Sequence, residues 1–165
     1  MRKNREEEKA ACELDVFLSF AKYAALRVRP GSAVSRRPPE PDVLCELEGE
    51  GHVAFELVEI IDSALAENIS VSIRKNVPAD GAWVGDTTLE RIREKLEKTY
   101  VTPHPMELVA WADPFITPPS VWRPTYERSL MALHGVSGFR RIWVVNLGGP
   151  DGERGVWFVD PRSGT

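Results

Sequence analysis

Apolar and polar positions alternate most cleanly between residues 42 and 58. Val43, Cys45 and Leu47 share one parity with Val53, Phe55 and Leu57, while Asp42, Glu46 and Glu56 share the other with Leu44, Ala54 and Val58. Period-two alternation marks a half-buried strand, and the Gly49-Glu50-Gly51 segment between the two runs predicts a hairpin. With the turn centred on Glu50, Asp42 is expected across from Val58, Leu44 from Glu56 and Glu46 from Ala54. Asp42 and Glu56 then become diagonal neighbours, with β-carbons roughly 5–8 Å apart. The apolar face is expected to meet the core, and a slip of one residue would exchange the two faces.

Upstream, Leu14, Phe17, Leu18, Ala21, Ala25 and Val28 recur at helical spacing from about Glu8, and Pro30-Gly31 is expected to stop that helix. Residues 36–41 read as a stiff, proline-rich approach to the hairpin. Beyond it, Asp62-Ser63 can cap a helix carrying Leu65, Ile69 and Ile73, although Ile69-Ser70-Val71-Ser72-Ile73 also fits a strand. A loop is expected over 77–86. Thr87-Thr88-Leu89-Glu90 reads as a capping box opening a helix with Leu89, Ile92, Leu96 and Tyr100 on one face. Met106 to Ala112 is a mostly apolar strand of the kind buried on both sides, followed by a loop over 113–119. Pro124, Tyr126, Leu130 and Leu133 mark a further helix ending before Gly135. Strands at 142–145 and 156–159 flank a turn over 148–152. The whole reads as one α/β domain over 1–165, a mixed central β-sheet flanked by helices.

Composition agrees. The 165 residues are 42% hydrophobic and 28% charged, an ordinary globular balance. No apolar run approaches the length of a membrane span. Met1-Arg2-Lys3-Asn4-Arg5 leads into three Glu and not an apolar stretch, so no secretory leader is expected. Cys12 and Cys45 read as reduced thiols, which points to the cytoplasm. No zinc-type Cys/His spacing, phosphate-gripping glycine loop or nucleophile elbow is present, and His52, His104 and His134 have no Ser or Cys partner in such a motif. A net charge of −4 argues against extensive phosphate contacts. One local exception is Arg27, Arg29, Arg36 and Arg37 around Pro30-Gly31-Ser32, either a solvated loop or a hold on a nucleic-acid backbone. Nothing in the pattern specifies an oligomeric state.

The paired acids carry the chemistry. Two carboxylates at hairpin spacing repel unless a cation lies between them, and hard oxygen donors suit Mg²⁺ or Mn²⁺. Without a cation the same acids are merely the solvent face of an antiparallel pair. Pro41-Asp42 entering one strand, with Glu56-Leu57-Val58-Glu59 on the next, resembles the PD-(D/E)XK nuclease-like superfamily in a divergent bacterial branch. The element order resembles it too: helix, two strands, helix, strand, helix, strand. That resemblance implies a restriction-endonuclease-like fold and metal-dependent nuclease or phosphodiesterase activity, with Asp42 and Glu56 holding Mg²⁺ or Mn²⁺.

In that superfamily a Lys two residues beyond the second acid helps activate the water, and here Val58 stands there. Glu59 becomes an added ligand or base only if the strand bulges or ends near Val58. Lys95, on the helix after the hairpin, is the candidate for the missing charge, as a helix lysine is in divergent members. Lys95 and Lys98 also read as an ordinary charged helix face. Glu13 lies next to the apolar stripe of the first helix, and is either solvated or leans towards the metal as a first-helix acid does in some nucleases of this type. The alternative function is a catalytically silent nuclease-like module used for binding or complex assembly, which Val58 and the acidic net charge favour.

Overall fold

The computed structural model describes residues 2–60, 88–112, 122–135, 137–147 and 155–160. The element order is α1 (Arg2–Tyr23), β1 (Val34–Ser35), β2 (Val43–Leu47), β3 (Gly51–Glu59), α2 (Thr88–Leu96), β4 (Met106–Ala112), α3 (Trp122–His134), β5 (Phe139–Asn146) and β6 (Gly155–Val159). The strands form one mixed sheet in sequence order, β1-β2-β3-β4-β5-β6. The β1-β2, β2-β3 and β5-β6 pairs are antiparallel, and β3, β4 and β5 run parallel. The α/β reading therefore holds among the described residues, with helices on both faces of the sheet.

Strand parity divides the core. Val43, Cys45, Leu47, Val53, Phe55, Leu57, Val109, Trp143 and Val145 pack against Val16, Phe17, Phe20 and Ala21 of α1. Phe17 and Phe55 meet with ring centroids 4.8 Å apart, within the range of favourable tilted pairs. On the opposite face Val58, Leu108, Ala110, Ala112, Ile142 and Val144 pack against Ile92 of α2 and Leu130 of α3. Thus β4, buried on both sides, is apolar almost throughout, as its sequence requires.

Three boundaries differ from expectation. First, α1 ends at Tyr23 and not near Val28. Ala25 takes a left-handed conformation (φ 52°), Leu26 N donates to Ala21 O at 2.9 Å, and Ala25 N donates to Lys22 O at 3.3 Å. That pattern is a Schellman cap, which closes the helix before the periodic apolar residues run out. Second, the freed segment lies beside the hairpin: Val28 bridges Leu47, and Val34–Ser35 pairs with β2 as an edge strand. Two residues are too few to leave a period in the sequence. Third, Tyr100 lies beyond the end of α2 and packs edge-on to Phe139, with centroids 5.6 Å apart. The expectations for 62–73, 77–86, 113–119 and 148–152 fall outside the described residues. Among the described residues no helix is long and apolar enough to cross a membrane.

Candidate functional site

The hairpin pivots two residues away from its expected register. Leu44 pairs with Ala54 and not Glu56, and Glu46 pairs with His52 and not Ala54. The cause is the turn. Glu50 N donates to Leu47 O at 3.1 Å, and Gly49 holds φ at 84°, the third position of a type II turn, which only glycine occupies without strain. An even slip preserves parity, so both faces are as the alternation predicts. Continuing the Val43–Phe55 register by one residue sets Asp42 across from Glu56, a direct neighbour instead of a diagonal one.

Asp42 lies where the β2 ladder runs out. Its Oδ2 accepts the Leu57 backbone N–H at 2.9 Å, doing for β3 what the next strand carbonyl would have done. That hydrogen bond fixes the carboxylate against the sheet. Glu56 is only 4% exposed, and Lys95 of α2 places its Nζ 2.5 Å from Glu56 Oε1. The Tyr100 hydroxyl donates to the Lys95 carbonyl oxygen at 3.2 Å, close enough to Glu56 for each group to shift the other's titration.

Burial pushes the Glu56 carboxyl above its ordinary range. Asp42 pushes it further, while Lys95 and Tyr100 pull it back. The Tyr100 phenol is driven up by burial and then by the Glu56 charge. On α1, Glu13 is raised by burial and by Asp42, against the opposing pull of Lys9 and Lys95. Lys9 pairs with Glu13 at 3.1 Å and is raised first by that contact, with Asp42 and Glu56 adding to it. The site therefore sets three carboxylates (Glu13, Asp42 and Glu56) against two ammonium groups (Lys9 and Lys95), in one electrostatically connected cluster.

Glu59 is not drawn into this cluster by the sheet. β3 stays in register with β4 through the Glu59–Trp111 pair, with no bulge at Val58, so alternation turns Glu59 to the opposite face. Val58 is buried in the α2 and α3 core. Glu46, the third acid of equal parity, is held by Arg29 Nη1 at 2.9 and 3.0 Å, away from Glu56. Two more of the four loop arginines face carboxylates: Arg27 lies 3.8 Å from Glu48, and Arg36 pairs with Glu40. Arg37 is exposed.

Mg²⁺ is commonly held by one or two carboxylates, with waters and substrate oxygens filling its octahedron. Asp42 and Glu56 match that two-carboxylate type. Burial first and the Asp42 charge second raise the Glu56 carboxyl, and a cation beside the pair would oppose the second effect. Among the described residues no group of three or more His, Cys, Asp and Glu side chains is disposed to hold a metal ion.

Sequence reasoning read Tyr100 only as core, and it missed a second buried polar cluster altogether. Glu107 of β4 is fully buried and accepts Trp143 Nε1 at 2.6 Å, Arg140 Nε at 2.6 Å and Arg141 Nη1 at 3.2 Å. A register shift between β4 and β5 at Met106/Glu107 admits Arg140 as an extra residue. That bulge aims two successive arginines at one carboxylate. Arg140 also reaches Glu50 of the hairpin turn at 2.6 Å, and Arg141 lies 3.6 Å from Asp160 and over the Phe158 ring. The available signal was a lone acid inside the apolar run of β4, followed far along the chain by Arg140-Arg141 at the head of another apolar run. Two guanidinium groups face three carboxylates (Glu50, Glu107 and Asp160) in the cluster, which ties the hairpin turn, β4 and β5 together.

Comparisons of the chain with protein-family models, curated proteins and solved structures find no match.

Proposed function

We propose that the protein is a metal-dependent phosphodiesterase or nuclease of restriction-endonuclease-like fold, with Asp42 and Glu56 as the ligands of Mg²⁺ or Mn²⁺. One observation carries the reading: Lys95 meets Glu56 beside Asp42, supplying an ammonium group that Val58 cannot. The mixed sheet, with an acid-bearing antiparallel hairpin leading into parallel strands, supports the fold assignment.

When bound, the cation polarises the phosphate and lowers the pKa of a water. The chain's own groups do the rest. Asp42 is locked by Leu57 N–H, so its carboxylate pays little ordering cost on binding. Glu56 is buried and holds Lys95 in place, and the Lys95 ammonium is positioned to orient a water or stabilise charge developing on a phosphate oxygen. Glu13 and Lys9 complete the wall contributed by α1.

The test is cleavage of single- and double-stranded DNA and RNA with Mg²⁺ and with Mn²⁺, beside Asp42→Asn and Glu56→Gln. Metal-dependent turnover lost in both variants supports the proposal. Cleavage that persists in the variants rejects Asp42 and Glu56 as the ligands. No cleavage together with no metal uptake by calorimetry moves the assignment to a silent nuclease-like binding module.

A further inference from the structure

His52 and His104 are two of only three histidines in the chain, and they come from different elements. Their rings nevertheless meet, with centroids 5.3 Å apart and planes inclined by 31°. His52 is exposed at the start of β3, and His104 is half-buried just before β4. Neither was singled out as a pair by the sequence, because 51 residues lie between them and no helical or strand period links them.

The backbone holds the pair in place. Ala54 N donates to Pro105 O at 2.9 Å, which pins the residue after His104 beside the second residue after His52. His104 sits between Pro103 and Pro105, and its own N–H is bonded to Thr102 Oγ1 at 3.2 Å. Proline on both sides restricts the segment, so little further ordering is needed for the two imidazoles to act together.

That separation has a chemical meaning. A borderline divalent metal sits about 2.0–2.1 Å from an imidazole nitrogen, hence about 3.2 Å from the ring centroid, and two such rings at a tetrahedral angle have centroids about 5.2 Å apart. We propose that His52 and His104 form a two-imidazole chelate for a borderline divalent cation of the Cu²⁺, Ni²⁺ and Zn²⁺ class, with solvent completing the coordination. Imidazole donors select these ions, whereas carboxylate oxygens select Mg²⁺ and Mn²⁺. The carboxylate nearest by strand register, Glu46 across from His52, has both oxygens engaged by Arg29. The site is therefore nitrogen-based and open, with positions left for water or an outside ligand.

It is also separate from the acidic cluster. His52 has the parity of Glu56 but precedes it by four residues, roughly 13 Å along the strand. The chelate would cross-link the head of β3 to the segment feeding β4.

The experiment is calorimetric titration of the full chain with Cu²⁺, Ni²⁺ and Zn²⁺ in a non-chelating buffer, with thermal melts alongside. We expect one imidazole-bound equivalent, over and above any uptake at Asp42 and Glu56, with Cu²⁺ tighter than Ni²⁺ as the Irving–Williams order requires. His52→Gln and His104→Gln should each weaken that binding by about tenfold or more, and Asp42→Asn should leave it unchanged. At free metal about a hundredfold above the dissociation constant, the melting temperature should rise by about 5–10 °C, and that rise should vanish in both histidine variants. Without metal, His52→Gln should melt like the parent, since that ring is exposed, and His104→Gln within a few degrees of it, since that ring is only half-buried. Absence of uptake, or equal uptake by the parent and both histidine variants, overturns the proposal.

Discussion

Lys95 Nζ lies 2.5 Å from Glu56 Oε1 although 39 residues separate the two in sequence. The contact joins the only helix after the hairpin that is described before β4 to the middle of β3, and it neutralises one member of an otherwise repulsive carboxylate pair. Removing either partner leaves the other mostly buried. The side chains are 23% and 5% exposed, so breaking this pair costs more than breaking a surface ion pair.

Lys95→Ala should therefore lower the proposed hydrolysis by about 2–4 orders of magnitude, the usual contribution of a positioned acid–base or charge-stabilising group. Lys98→Ala, a control on the same charged segment, should change turnover by less than about twofold, as befits a solvated lysine. Initial rates at saturating Mn²⁺ check both. Equal effects from the two substitutions would reduce Lys95 to a surface charge.

Stability should depend on pH through Glu56 and Glu13. Both carboxyls are raised in the folded state, by burial first and by Asp42 second. A raised folded pKa means that the contribution to stability is fully present below the unfolded value and is lost as pH rises through the folded one. Relative to Glu56→Gln, the parent should lose stability progressively as pH climbs from about 4 towards neutrality. The slope carries the prediction, because Gln also deprives Lys95 of its anionic partner. Urea midpoints across that range measure it, and a gap independent of pH would refute the assignment.

Glu107→Gln should unfold the protein more readily than any substitution of a surface acid. It removes the carboxylate that Arg140, Arg141 and Trp143 share. Breaking a buried charge cluster costs about 3–5 kcal/mol, and the partial exposure of both arginines places the expected value near the lower end, about 3 kcal/mol. In a domain of this size that corresponds to a drop in melting temperature of about 6–12 °C. Trp143 fluorescence should follow the transition.

Within α2, depth of burial should decide the cost of truncation. Ile92 is fully buried, so Ile92→Ala should cost about 2–5 kcal/mol through lost transfer energy and a cavity. Leu96 packs on the same cluster but is only partly buried. Leu96→Ala should cost less than half as much, because its neighbourhood can relax into solvent. Denaturant unfolding of the two variants gives the ratio directly.

Local pattern alone determined a good deal here. The faces of the hairpin, the buried run of β4 and the stripe of Leu89, Ile92 and Leu96 are all legible in the sequence, because alternation and helical spacing are properties of neighbouring residues. Parity even survived a misplaced turn, since the slip was by two. Tertiary structure decided what no local period contains. The left-handed glycine of the turn set Asp42 opposite Glu56, and the packing of α2 on the sheet delivered Lys95. Chain reversal after α2 carried Tyr100 to the same carboxylate, and the bulge in β5 turned two arginines onto Glu107. Each of these contacts joins residues far apart in sequence. Their meeting follows from sheet order and helix docking, which the alternation of a single strand does not encode.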